Sequence, residues 1–149
     1  MEIYEIKERS SQLTAKLLVV WERSVRATHL FLSEPEIERI KVYVPQAISG
    51  VGHLAVAENA AGVPVAFMGV EAGRLEMLFI SPEERGRGLG RQLLEYGIRN
   101  YGIQEVTVNE QNPQATGFYE HMGFRTYKRT ACDEEGGPYP LLYMKLERA

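Results

Sequence analysis

Cysteine is almost missing: Cys132 is the only one in the chain. That excludes an intramolecular disulfide, suits a reducing compartment and makes thiol catalysis a poor expectation. Also missing is any run close to the roughly 18 apolar residues that a membrane span needs. The opening MEIYEIKERS is charged where a secretory segment would be apolar, so the expected location is cytoplasmic, without membrane contact. Nor is there an excess of positive charge. The 17 Lys and Arg against 20 Asp and Glu leave a net charge of −3, which removes the broad basic footprint that a nucleic-acid partner would need. With no internal repeat, linker or low-complexity tract, the 149 residues suit one domain, 1–149, long enough to bury a core.

What is present alternates between two periodicities. Ile3, Tyr4 and Ile6 suggest a short strand. Ser10 or Ser11 can then cap a helix in which Leu13, Leu17, Leu18, Trp21 and Val25 recur at helical spacing. A second helical pattern runs from Glu36 to about Ile48, with Pro35 near its first turn and Pro45 expected to kink or end it. His53 to Glu58, Val63 to Val70 and Arg74 to Ile80 read as strands joined by the hairpin turns Asn59-Ala60-Ala61-Gly62 and Glu71-Ala72-Gly73. Leu89 to Tyr101 reads as a helix stopped by Gly102, and Glu105 to Val108 as a strand. Strand, helix and strand in that order make a crossover and a parallel pair. A short helix beginning near Pro113 and strands at Phe124 to Thr130 and Tyr139 to Leu146 complete the chain. The expected fold is α/β, of the α+β kind: a mixed, mostly antiparallel sheet of about seven strands flanked by about four helices.

The stretch LFISPEERGRGLGRQLLEY, Leu78 to Tyr96, carries the chemistry. An apolar strand runs into a turn spaced by Gly86, Gly88 and Gly90 and then into a helix, and the unpaired N–H groups at the helix start offer an anion site. Arg85, Arg87 and Arg91 add positive charge. A nucleotide P-loop would need Lys and then Ser or Thr after its last glycine, but Gly90 is followed by Arg91 and Gln92. The dinucleotide fingerprint fails as well, since Arg91 stands where its third glycine belongs.

What remains, Arg85-x-x-Gly88-x-Gly90, resembles the acetyl-CoA pyrophosphate loop of the GNAT superfamily of N-acetyltransferases. A second signature, Asn112-x-x-Ala115-x-x-Phe118-Tyr119-x-x-x-Gly123-Phe124, resembles the segment after that family's fifth strand. Three further stretches, Trp21 to Leu32, Val108 to Asn112 and Pro138 to Leu142, are similar to the YjaB-like bacterial members of the superfamily.

The resemblance implies a sheet splayed between its fourth and fifth strands, acetyl-CoA as cosubstrate, no metal, and direct transfer of acetyl to a primary amine of a small molecule or a peptide. Backbone N–H groups from Arg85 through Gly86, Arg87, Gly88, Leu89 and Gly90 to Arg91 would hold the pyrophosphate. Leu78, Phe79 and Ile80 would pair with the pantetheine arm, and an N–H near Leu78 or Phe79 would stabilise the oxyanion. Asn112 would touch the cofactor, and Tyr119 would lie beside the sulfur as the acid for the leaving thiolate. Glu76, in the apolar fourth strand, is the candidate base; the alternative for it is an ordinary strand-edge carboxylate. Alternation puts Glu76 on one face with Leu78 and Ile80. His29 and Tyr139 are rivals for the base, and His29, Phe31, Asn109 and Tyr139 are candidate acceptor contacts. A module that binds acetyl-CoA as a sensor without turnover is the competing function, and the chain could be a monomer or a homodimer.

Overall fold

The computed structural model describes residues 1–147. Strand β1 (Glu2–Glu5) precedes helix α1 (Ser11–Thr28), whose N-cap Ser10 accepts a hydrogen bond from Leu13 N–H at 3.1 Å. Ser33 and Glu36 form a reciprocal capping box at the start of α2 (Glu34–Lys41). The second helical pattern is split, because α3 (Val44–Gly50) starts afresh with Pro45 in its first turn. Proline's missing N–H costs nothing there. Counting α2 and α3 as halves of one expected helix leaves four flanking helical units. The guanidinium of Arg9 closes α3 by donating to the carbonyls of Ile48, Ser49 and Val51.

Strands β2 (His53–Glu58), β3 (Pro64–Glu71) and β4 (Arg74–Ile80) form the antiparallel meander, followed by a 3-10 turn, Pro82–Glu84, and helix α4 (Leu89–Tyr101). Then come β5 (Glu105–Asn109), α5 (Pro113–His121), β6 (Phe124–Thr130) and β7 (Leu141–Leu146). The last strand begins two residues later than its pattern suggested, leaving Tyr139 in the loop. All seven strands form one sheet in the order β1-β2-β3-β4-β5-β7-β6, with β4 and β5 the parallel pair.

Each face of the sheet is covered by its own apolar layer. Leu17, Val20, Trp21 and Val25 of α1 pack with Ile37, Ile48, Leu54, Val56 and Phe67 on one side. Leu93 and Leu94 of α4 pack with Met68, Val70, Leu75 and Val106, and with Tyr119 and Phe124, on the other. No helix of the described residues is long and apolar enough to cross a membrane.

The feature that positions the site is the short β4–β5 pairing. Only Arg74 with Glu105 and Leu75 with Val106 are in register, after which the strands part. The β3–β4 ladder also slips between Gly69 and Val70: Val70 faces Leu75 but Gly69 faces Met77, so Glu76 is the extra residue of a bulge. Strict alternation is therefore interrupted at Glu76, and Leu75 packs in the same layer as Leu78 and Ile80.

Candidate active site

The glycine loop performs two separate tasks. Gly86 and Gly88 hold left-handed φ values of 78° and 79°, and a Cβ on either would meet nothing within 4 Å. Gly88 is the N-cap of α4 with no side-chain cap, so the first N–H groups of the helix remain open, as an anion requires. Gly90 is different. It lies inside the helix, where a Cβ would come within 3.1 Å of Ile80 Cδ1 and 3.6 Å of Phe118 Cζ, so it permits α4 to approach β4 and α5.

The arginines are already engaged. Arg85 donates to Gln114 Oε1 at 2.7 Å, Arg87 lies 3.7 Å from Glu84, and Arg91 donates to Glu95 at 2.8 Å. Arg85 lines the cleft with Gly86, Gly88, Leu89 and Gly90, whereas the side chains of Arg87 and Arg91 are largely in solvent. Positive charge at the loop thus comes chiefly from Arg85 and the helix end.

The backbone of β4 supplies the next part. Ser81 N–H donates to Val65 C=O at 2.8 Å, which fixes Ser81 and Phe79 as the positions that bond to β3. Leu78 and Ile80 therefore turn their N–H and C=O groups toward the edge that β5 has left. That row of unpaired groups, the open helix end and the absence of any Cβ at Gly88 fit a cofactor that carries both amides and a pyrophosphate.

A cleft of about 340 Å³ runs from the loop along this edge, and a hollow of about 130 Å³ fills the splay between β4 and β5. They share His29, Leu78, Phe79, Asn112, Ala115 and Tyr119, so these residues stand where the two spaces meet. Tyr119 is buried, at 7% exposure, wedged edge-on between Phe118 and Phe124 with ring centroids 5.1 and 5.9 Å away. Burial pushes its phenol above the ordinary tyrosine range, which keeps the proton on the oxygen. Asn112 Oδ1 accepts from Ala115 N–H at 3.2 Å and so caps α5, leaving its amide N–H₂ as the group available to a ligand. Asn109 Oδ1 accepts from Gln111 N–H at 3.0 Å and shapes the preceding turn.

On the acceptor side, Glu76 lines the hollow and its carboxyl is raised above the usual range, first by desolvation and then by Glu134 and Glu71, against the pull of Arg74. His29 ends α1 and lies in both spaces. Burial lowers its imidazole below the ordinary value. Its ring centroid is 5.5 Å from Phe31, which in turn is 6.0 Å from Tyr139. The α1–α2 connection and the loop before β7 thereby meet over the cleft, although Phe31 and Tyr139 stand behind His29 instead of lining it.

Three residues were not visible in the sequence: Gln114 holds Arg85; Ser24 C=O accepts from the Thr28 hydroxyl that contacts His29; and Thr107 Oγ1 lies buried in the splay, without a hydrogen-bond partner among the described residues. Only the Asn-Pro helix start offered a hint of the first, and nothing in residue spacing betrays the others.

A splayed mixed sheet, an open-ended glycine loop and a phenol at the junction of the two spaces define an acetyl-CoA-dependent N-acetyltransferase. The comparisons agree. Residues 34–147 match the family model described as an acetyltransferase (GNAT) domain, and the chain belongs to that family. It is 41% identical over 131 residues to the peptidyl-lysine N-acetyltransferase YjaB of Salmonella typhimurium, covering 85% of this chain and 87% of that protein. To YjaB of Escherichia coli K12 it is 38% identical over 144 residues, covering 94% and 95%. The solution structure of apo YjaB from Escherichia coli superposes over the whole of both chains with a TM-score of 0.87 at 37% identity. The chain is thus an enzyme of the acetyltransferase class, and the sensor alternative falls away.

Proposed function

We propose that this enzyme acetylates the ε-amine of lysine in a peptide or protein. The observation that carries the reading is the form of the acceptor side: an open hollow at the sheet splay with the carboxylate of Glu76 in its wall and Glu134 and Glu71 close enough to act on it. Such a mouth attracts a cationic side chain. The relatives named peptidyl-lysine acetyltransferases support the same acceptor. A free small amine is the alternative, and the test compares them directly.

In this reading backbone N–H groups between Arg85 and Arg91 hold the pyrophosphate, with Arg85 and the N-terminus of α4 supplying the charge complement. Leu78 and Ile80 pair with the pantetheine amides, and Leu78 N–H receives the negative charge that develops on the carbonyl oxygen. The bound thioester supplies an activated acetyl carbon. Asn112 donates its amide N–H to the cofactor arm. Tyr119, kept protonated by burial, donates to the departing sulfur. Glu76 draws in the ammonium and, directly or through water, removes a proton from it. Asn109 shapes the acceptor wall, and Phe31 and Tyr139 support His29 from behind it. The continuity of the sheet from Glu2 to Leu146 supports one domain over 1–149, and the exposed thiol of Cys132 suits a cytoplasmic enzyme.

The experiment supplies acetyl-CoA with lysine peptides, free lysine, a polyamine and peptides whose only amine is the N-terminus. Release of CoA is followed, and the product is mapped by mass spectrometry. Acetyl on the lysine Nζ of peptides, at a kcat/KM at least tenfold above free lysine, is expected. Preference for the small amines would overturn the peptide acceptor.

A further inference from the structure

The acceptor enters as an ammonium with three N–H bonds and leaves as a secondary amide with one. Two protons must therefore leave the nitrogen while the C–N bond forms and the C–S bond breaks. One is matched by the proton that Tyr119 gives to the sulfur, and the other goes to water. The first must leave before attack, to free the lone pair. The second leaves as the nitrogen becomes bonded to the carbonyl carbon, when it is far more acidic than a free ammonium. A single carboxylate at the mouth answers only the first requirement.

His29 is built for the second. The Thr28 hydroxyl donates to Ser24 C=O at 2.8 Å, and its oxygen lies 2.8 Å from His29 Nδ1. A hydroxyl has one hydrogen. With that hydrogen committed to Ser24, Thr28 can only accept from the ring, so Nδ1 carries the proton and Nε2 carries the lone pair. The ring is packed against Phe31 and lies where the cofactor cleft meets the splay. Glu84 and Arg85 share the cleft with it, Glu76 shares the hollow, Tyr119 lines both, and Tyr139 stands beyond Phe31. Desolvation favours the neutral ring, which is the state that can take a proton.

Resting on the transfer reaction above, we infer that His29 is a second proton acceptor in the reaction: Nε2 takes the proton from the acceptor nitrogen as the C–N bond forms, and Thr28 is the positioning residue that fixes the tautomer. Glu76 handles the earlier deprotonation at the mouth. The two roles separate in their response to pH. High pH supplies neutral amine and bypasses Glu76, but it does not bypass His29.

The test has two parts. Imidazole ¹⁵N–¹H correlation spectra of the ligand-free protein should show His29 with its proton on Nδ1, and Thr28→Val should lose that preference while remaining folded. In single-turnover assays with a lysine peptide, His29→Gln should be slower by about 10²-fold at both pH 7 and pH 10, with unchanged acetyl-CoA affinity. Glu76→Gln should be slow at pH 7 and recover at pH 10. Glu76→Gln should keep an acid limb below the ordinary histidine range, and that limb should vanish when His29→Gln is added to it. A proton on Nε2, or a His29→Gln rate equal to wild type while the wild type acetylates the peptide, would overturn the inference alone. A wild type that transfers no acetyl to any amine would overturn the transferase reading itself and this inference with it.

Discussion

Gly88 and Gly90 sit two residues apart, yet only one of them is required by its own backbone. Gly88 has a left-handed φ of 79°, and a Cβ there meets nothing within 4 Å, so Gly88→Val chiefly adds strain of about 1–2 kcal/mol. The new side chain would stand over the uncapped end of α4. The variant should remain folded, with a modest fall in Tm, and lose acetyl-CoA binding by calorimetry; unchanged affinity would remove the loop from the site. The turn was legible because its left-handed backbone at the helix start calls for glycine in a recognisable place. The distinct role of Gly90, imposed by Ile80 Cδ1 and Phe118 across the fold, was not, since those neighbours come from other elements. The same holds for Arg87 and Arg91: their charge can be read from the sequence, but their orientation into solvent and their pairing with Glu84 and Glu95 depend on how the turn and the helix fold.

At the scale of elements, α5 is capped by a side chain that also lines the cleft. Asn112 uses its carbonyl oxygen to cap the helix, and its N–H₂ is the part that the proposed cofactor contact would use. Asn112→Asp preserves the cap and should leave stability within about 0.5 kcal/mol, while placing a carboxylate beside the cofactor. Asn112→Ala should cost about 1 kcal/mol through the lost cap. Thermal unfolding with acetyl-CoA titration checks both: the aspartate variant should bind more weakly than its stability suggests. On the opposite wall, Arg26 bridges Glu22, Glu34 and Glu38, and Lys41 reaches Glu22 at 2.7 Å, so α2 is held against α1 and the connection bearing His29 and Phe31 stays over the cleft. The periodicity of α1, the meander and the crossover could be read directly. The bulge at Glu76 could not, because it arises from the pairing of β4 with β3 and leaves no mark on the composition of either strand. The break between α2 and α3 was half legible: Pro45 marked a discontinuity but not that a new helix would begin there.

For the whole molecule, the sequence order of strands hides the arrangement that makes the cleft. β7 lies between β5 and β6, so the last strand of the chain pairs along all of β5 and draws it away from β4 after only two residue pairs. The two apolar layers then hold α1 and α5 on opposite faces, and the gap between the strands opens as the hollow beside the cleft. Tyr119 stands where cleft and hollow join, buried, with its phenol pushed above the ordinary tyrosine range by desolvation. Its replacement by Phe removes one oxygen and keeps the ring between Phe118 and Phe124, so stability and acetyl-CoA affinity should be nearly unchanged. The most direct test of the account is the single-turnover rate of Tyr119→Phe with saturating acetyl-CoA and a lysine peptide, which isolates chemistry from product release. The account predicts a loss of about 10²- to 10⁴-fold. A wild-type single-turnover rate in a folded, cofactor-binding Tyr119→Phe enzyme would contradict it, since the thiolate would then be leaving without the proton that this cleft is arranged to supply.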